Sequence, residues 1–131
     1  MMISTALNPA SVPASPFFSQ GIEIRDVGRF VFVAGQVGMT ADGTVLHGIQ
    51  AQAVQAIANL NAVLEEAGLS PADVVKVTVY LTDPDDLDVF ADAFVGADFR
   101  PRNLPPAVTV LIVYGLSSPE LLVEIEAVAA R

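Results

Sequence analysis

The chain has 131 residues, 53% of them hydrophobic, and its 15 acids against 6 bases give a formal net charge of −9. This composition indicates one globular domain, residues 1–131, and the lack of clustered Lys and Arg argues against nucleic acid as a partner, because such clusters neutralise phosphates. With no cysteine and one histidine, the chain cannot build thiolate metal sites or use a cysteine nucleophile, and we expect no metal ion or other cofactor.

Residues 1–16 are expected to form an extended arm, with order beginning near Phe17. Pro9, Pro13 and Pro16 each fix φ and remove a backbone donor. The segment lacks the basic start and the apolar run of a secretory signal, and no stretch approaches the roughly 20 apolar residues of a membrane span. We therefore expect a cytoplasmic protein with no membrane partner.

Two strands are predicted next. Ile22 and Ile24 alternate with charged residues over positions 21–26, and positions 30–34 are apolar throughout. Turn-forming residues separate the two segments at positions 26–28. The pattern predicts a hairpin whose second strand is buried on both faces.

A helix is predicted over residues 48–67, where the apolar positions recur at helical spacing and Gly68 suits the left-handed residue after a helix end. Residues 74–81 alternate and are rich in β-branched side chains, which predicts a strand. A second helix follows, because Asp83 can cap it and Pro84 fits its first position. Its predicted inner stripe consists of Leu87, Phe90 and Phe94.

Two further strands are predicted at residues 108–114 and 121–128. The order β-β-(short strand)-α-β-α-β-β predicts an α+β fold, a single mixed β-sheet with two helices packed on one face. Several strands are apolar on both faces, as Val110 and Leu111 illustrate, and two helices can cover only one face. The uncovered face implies a partner, because monomers seldom expose large apolar patches.

Three sequence blocks resemble the Rid (YjgF, L-PSP) family. They are Phe18-Ser19-Gln20-Gly21 leading to the FVAGQ of residues 32–36, the VVKVTVYLTD of residues 74–83, and the LVEIEA of residues 122–127. The resemblance implies a YjgF-like, chorismate-mutase-like subunit. It also implies a homotrimer whose sheets form a central barrel-like core, with ligand sites in the clefts between subunits.

In the catalytic members that this chain resembles, a cleft arginine grips the carboxylate of an enamine or imine, which is hydrolysed to a keto acid and ammonia. The resemblance places Pro105 where that arginine stands. Phe18, Ala34 and Ala91 replace the usual tyrosine, serine and asparagine. What survives is Glu124, implied to activate water or transfer a proton, together with Gly35 and the backbone around Thr109.

Several residues leave alternatives open. Glu124 and Glu126 face the same way on a strand, so they form either a perturbed pair or a solvated edge. Arg100 or Arg102 is either a substitute anion clamp or, as the sequence favours, a surface arginine. Lys76 is expected to pair with Glu124 or Glu126 across strands.

Two other features have plain structural interpretations. His47, the single histidine, is interpreted as a surface residue because it has no partner nearby in sequence. The acidic run over residues 83–92 is interpreted as helix capping and a solvated face, since its positions fit the positive end of a helix dipole.

The resulting hypothesis is a Rid-like protein that binds or transforms a small metabolite in the cleft between subunits, without the standard imine deaminase activity. Glu124 is its catalytic candidate, and the candidate substrate-binding residues are Phe18, Ala34, Gly35, Ala91, Arg102, Pro105 and Thr109. One alternative is a deaminase of the 2-iminobutanoate/2-iminopropanoate type with a substitute anion clamp. Another is a non-catalytic trimer that binds a ligand or a protein. Ribonuclease activity is disfavoured by the charge of −9.

Overall fold

The computed structural model describes residues 1–99 and 104–131. Among these residues there are two α-helices, α1 (Ile49–Glu66) and α2 (Leu87–Gly96), and 3-10 turns at Pro71–Asp73 and Pro84–Asp86. The strands are β1 (Ile3–Leu7), β2 (Gly21–Arg25), β3 (Phe30–Val37), β4 (Val74–Leu81), β5 (Ala107–Ile112) and β6 (Val123–Ala130). No helix of the described residues combines the length and apolar character needed to cross a membrane.

Four strands form a mixed sheet in the order β3-β6-β4-β5, in which β4 and β5 are parallel and the other pairs antiparallel. Helix α1 packs on β3 and β6, and α2 packs beside α1. The predicted α+β class, with two helices on one face of a mixed sheet, is confirmed. Two strands, β1 and β2, form a separate small sheet, so the expectation of a single sheet is wrong.

The core lies between the helices and the inner face of the sheet. Leu60 and Leu64 of α1 are fully buried against alternate residues of β4 and β6, among them Val79 and Ile125. Helix α1 ends as predicted, because Gly68 adopts a φ of +73° and its N–H reaches the carbonyl of Glu65. The helix therefore has a defined end directly before the segment that leads to β4.

The N-terminal predictions need correction. Residues Ile3–Leu7 pair antiparallel with β2, so order begins well before Phe17. The prolines that suggested an arm all follow Leu7, which leaves the first residues free to donate strand hydrogen bonds. Strand β2 does not form a hairpin with β3, because β3 pairs with β6 instead.

Helix α2 is preceded by the predicted capping sequence. The Asp83 side chain accepts a hydrogen bond from the backbone N–H of Asp85 at 2.9 Å, and Pro84 begins the 3-10 turn. Phe90 is buried, and Phe94 stacks on Phe99 with 4.9 Å between ring centroids. The prediction that Leu87 lies in the inner stripe is wrong, because as the first residue of α2 it is 42% exposed.

We call the sheet face away from the helices the open face. Its centre is polar, because β4 and β6 alternate between the core and this face. Its apolar part is the border formed by Phe30 and Phe32 on β3 and Leu111 on β5, all exposed. The side chains at the centre are Lys76, Thr78, Tyr80, Glu124 and Glu126, and Val128, opposite Lys76, is the apolar one among them. The expectation of a sheet that is apolar on both faces is therefore correct at the border and wrong at the centre.

Candidate functional site

The carboxylate of Glu124 lies against the backbone of Gly35. The pairing of β3 with β6 shifts register between Val33 and Gln36, so that this irregularity brings Gly35 over the Glu124 side chain. A Cβ atom placed on Gly35 would collide with the carboxylate oxygen Oε2 and would stand 2.7 Å from Cδ. The absence of a side chain at position 35 is therefore what lets Glu124 occupy this place.

Glu126, the second carboxylate of the open face, is bound to a tyrosine. The hydroxyl of Tyr80 donates to Oε1 of Glu126 at 2.5 Å. This hydrogen bond is the main cause of a raised Tyr80 pKa, and burial and the charges of Glu126 and Glu124 add to it. No described residue hydrogen-bonds the carboxylate of Glu124. The two carboxylates are therefore distinct, since Glu126 is hydrogen-bonded by Tyr80 whereas Glu124 has no hydrogen-bond partner within the described part of the chain.

Lys76 does not pair with either carboxylate, so that prediction is wrong. Its ammonium Nζ donates instead to the hydroxyl of Thr109 at 2.6 Å. The register explains the difference, because Lys76 is opposite Val128 on β6 and Ala107 on β5. Thr109, a predicted site residue, thus lies on the open face next to a cation.

Phe18 and Pro105 are brought together through Ser19. The buried Ser19 hydroxyl donates to the carbonyl of Pro105 at 2.6 Å, and its backbone N–H donates to the carbonyl of Pro106 at 3.1 Å. Ser19 also forms a parallel bridge to Ala107 at the start of β5. Ser19 was not among the predicted site residues, although it lies within the Phe18-Ser19-Gln20-Gly21 block that carries the family resemblance.

An apolar pocket of about 260 Å³ lies near this junction. Phe17, Phe94 and Phe99 line it together with Val95 and Asp98. Phe17 is 59% exposed, so an aromatic surface faces outward beside Phe18. This region can accept an apolar group of a ligand or of another chain.

The remaining predicted site residues are not all gathered in one place. Ala34 is exposed on β3, next to Gly35. Ala91 is exposed on α2, within the helical layer, and so lies on the other side of the sheet from Glu124. Arg102 and Arg100 lie outside the described residues. One chain therefore brings Glu124 close to Gly35, with Ala34 next in sequence, and brings the Phe18-Ser19 segment to Pro105. Thr109 lies apart from both, at Lys76.

The sheet register gives the distance between Thr109 on β5 and the acidic side chains of β6. Thr109 is paired with Thr78, and Thr78 is paired with Glu126, so the three residues lie side by side on β5, β4 and β6. With about 4.8 Å between neighbouring strands, Thr109 and Glu126 are about 10 Å apart along this row. A small molecule that lies across the open face can reach both ends of the row.

Other potential sites are explained by local structure. His47 is exposed, as predicted. Within residues 1–99 and 104–131 no group of three or more His, Cys, Asp and Glu side chains could hold a metal ion. Burial, with the charges of Asp83 and Asp85, raises the pKa of Asp86, which fits crowding at the start of a helix.

Comparisons with known proteins agree with this architecture. The family described as Endoribonuclease L-PSP matches residues 9–131. A RutC family protein of Aquifex aeolicus is 33% identical over 127 residues, which cover 93% of this chain and 94% of the relative. The 2-iminobutanoate/2-iminopropanoate deaminase of Salmonella typhimurium is 34% identical over 131 residues, covering 98% of this chain and 96% of the enzyme.

Solved structures extend the likeness to three dimensions. A Rid family protein of unknown function from Yersinia pestis, YyfB, superposes with a TM-score of 0.84 at 36% identity and covers 98% of each chain. Escherichia coli TdcF with bound serine gives a TM-score of 0.73 at 28% identity, with 95% of this chain and 93% of TdcF covered. On the match over residues 9–131 and these relatives, the chain belongs to the Rid family, that of Endoribonuclease L-PSP.

Proposed function

We propose that this chain forms a homotrimer that binds or transforms a small metabolite at the open face, in a cleft completed by a neighbouring copy, with Glu124 as the reacting group. The observation that carries the proposal is the carboxylate of Glu124, which Gly35 leaves room for and which no residue of 1–99 or 104–131 hydrogen-bonds. A carboxylate without a hydrogen-bond donor is available to take a proton from water or from a substrate.

The apolar border of the open face supports the homotrimer. Phe32 is 76% exposed and Phe30 is 50% exposed, and their rings lie 6.2 Å apart. Exposed aromatic side chains that adjoin each other are typical of surfaces that bury against another chain. A second copy that covers this border leaves the polar centre of the face as the wall of an enclosed site.

The standard deaminase activity is not expected, because the sequence resemblance places Pro105 where the catalytic members have the arginine that grips the substrate carboxylate. Imine hydrolysis needs water to attack the C=N carbon, a proton on the nitrogen, and cleavage of the C–N bond to give a carbonyl and ammonia. Glu124 can move the protons in these steps. Orientation of the substrate requires a separate group for its carboxylate.

A second candidate is imine or enamine deamination with a substitute anion clamp. It is favoured by the retained Glu124 and by the 34% identity to a protein named 2-iminobutanoate/2-iminopropanoate deaminase. The two candidates differ in one measurable quantity, the rate at which an imine decays in the presence of the protein.

The test generates 2-iminobutanoate enzymatically and follows its decay with wild-type protein, Glu124→Gln and Glu126→Gln. The two variants are matched, because both residues lie on β6 and face the same way, and Glu126 is the carboxylate held by Tyr80. Binding of 2-oxobutanoate and L-serine is measured in parallel by saturation-transfer NMR.

Binding without acceleration of decay supports the first candidate. Acceleration that Glu124→Gln abolishes and that Glu126→Gln only reduces supports the second. If wild-type protein neither binds these probes nor accelerates decay, the proposed small-metabolite function is wrong.

A further inference from the structure

We propose that Lys76, with the hydroxyl of Thr109, is the subsite that binds the carboxylate of the metabolite. The inference rests on the proposed function, because it assumes that the open face is the ligand-binding wall. It adds a specificity-determining residue, Lys76, for the carboxylate of such a ligand.

The ammonium of Lys76 is held by a neutral hydroxyl, and no carboxylate of the described residues neutralises it. Its Nζ donates to the Thr109 hydroxyl at 2.6 Å, and an ammonium carries three donor hydrogens. At least one donor remains for a ligand after the bond to Thr109 is made. The residues opposite Lys76 on the two neighbouring strands, Val128 and Ala107, have no acidic group.

Two cations of the described residues form ion pairs with carboxylates, as Lys76 does not. Arg131 lies 2.9 Å from the carboxylate of Asp73, and Arg25 lies 3.6 Å from that of Glu23. Lys76 has no carboxylate partner among the described residues, although it is partly buried. An ammonium whose hydrogen-bond partner is a neutral hydroxyl gains from an anion, since the opposite charges attract each other.

The distribution of charge on the open face favours one negative charge. The cation lies at the β5 side, whereas Glu124 and Glu126 lie on β6. A phosphate dianion would be repelled by the two carboxylates and would meet a single ammonium. A carboxylate at Lys76 leaves the opposite end of the molecule, and any nitrogen there, directed towards the acidic side chains.

The geometry allows such a ligand to contact both ends. Side chains at diagonal positions on neighbouring strands are roughly 7–8 Å apart at their bases, and long side chains reach across that distance. Lys76 is opposite Val128, so Glu126, two residues away on β6, is its diagonal neighbour. A molecule of a few carbon atoms spans the space between their charged groups.

The experiment compares 2-oxobutanoate with butanone, which has the same carbon chain and ketone but no carboxylate. Affinities are measured by NMR titration on wild-type protein, Lys76→Met, Lys76→Arg and Thr109→Val. Arg25→Met is the charge-matched control, because it also removes one positive charge, from β2 and not from the open face. Sedimentation velocity checks that each variant keeps the assembly of the wild type.

We expect wild-type protein to prefer 2-oxobutanoate over butanone by at least about tenfold, the size of effect that a hydrogen bond to a charged group gives. Lys76→Met should remove this preference, Lys76→Arg should retain most of it, and Arg25→Met should leave it unchanged. Thr109→Val should weaken 2-oxobutanoate binding by a smaller factor, about threefold, because the ammonium loses its positioning partner.

Three outcomes would overturn the inference. Equal binding of 2-oxobutanoate by Lys76→Met and wild type would remove Lys76 from the site while leaving the proposed function intact. Dissociation of the Lys76→Met assembly would make Lys76 an interface residue instead. If wild-type protein binds neither the probes used here nor those of the imine test, the proposed function fails and this subsite with it.

Discussion

At the residue scale, one hydrogen bond separates the roles of two identical side chains. Glu124 and Glu126 differ by two positions and face the same way, so the sequence leaves open whether they act as a pair. Tyr80 binds Glu126 and leaves Glu124 without a donor among the described residues. The assignment of Glu124 as the reacting group therefore depends on where Tyr80 places its hydroxyl.

The same contact gives a pH dependence. The hydrogen bond to Glu126 raises the pKa of Tyr80 in the folded protein above its ordinary value of 10.0. The contribution of this hydrogen bond to the free energy of unfolding is therefore complete below about pH 10, and it is lost as the pH rises through the pKa of Tyr80 in the folded protein. The reason is that the Tyr80 hydroxyl loses its proton at a lower pH in the unfolded chain than in the folded one. We expect Tyr80→Phe to flatten this alkaline loss of stability.

Urea unfolding between about pH 8 and pH 11.5 measures the effect, across the range in which tyrosine ionises. Tyr114→Phe is the control, because Tyr114 is fully exposed and its substitution should leave the wild-type profile in place. An identical alkaline decline in wild type and Tyr80→Phe would show that the Tyr80 hydroxyl does not stabilise the folded state.

At the scale of elements, Gln52 joins α1 to two loops. The side-chain amide of this buried residue donates to the carbonyls of Leu46 and Glu120 at 2.9 and 2.8 Å, and its oxygen accepts from the N–H of Leu122 at 2.8 Å. Gly38 packs so closely that a Cβ there would stand 2.6 Å from Cγ of Gln52. Gln52 thus fixes both the loop that precedes α1 and the loop that precedes β6.

We expect Gln52→Leu to lower the free energy of unfolding by about 2–3 kcal/mol, because three backbone groups lose their partner. Gln50→Leu, at an exposed position of the same helix, should change stability by less than about 0.5 kcal/mol. Urea denaturation of the three proteins measures both effects. Equal stabilities of Gln52→Leu and wild type would mean that water replaces the lost hydrogen bonds.

Local sequence patterns predicted local elements well. The 3.6-residue period and Gly68 predicted α1, and the alternation of β-branched residues predicted β4 at Val74–Leu81. Pairing between strands distant in sequence was less accessible, because periodicity carries no register. For that reason β2 was paired wrongly and Lys76 was assigned a carboxylate partner instead of Thr109. Strand β1 was missed because the prolines that follow it indicated an extended arm.

At the scale of the whole molecule, the apolar border of the open face can be tested for assembly. Phe32 is 76% exposed in the isolated chain. We expect Phe32→Glu to convert the proposed homotrimer into a folded monomer, since burying an unpaired carboxylate at the contact is costly. Val54→Glu, at a residue of α1 that is 56% exposed, is the matched control and should keep the assembly.

Sedimentation velocity at low micromolar concentration, with circular dichroism to confirm folding, distinguishes the outcomes. A well-folded wild-type monomer would contradict the homotrimer itself. A Phe32→Glu protein that still assembles would place the contact elsewhere.

The candidate site was only partly predictable from sequence, because a cleft shared by two chains depends on the surfaces of both, and the periodicity of one sequence does not describe them.

The closeness of Gly35 and Glu124 also has a consequence for comparing members of the family. Any side chain at position 35 would have to displace the carboxylate, so the two positions cannot vary independently without moving the acid. In an alignment of family sequences, positions 35 and 124 should therefore be compared as a pair. A chain with both the glycine and the glutamate can place the carboxylate against the backbone in the same way. A chain in which only the glycine is replaced must hold its carboxylate in a different position.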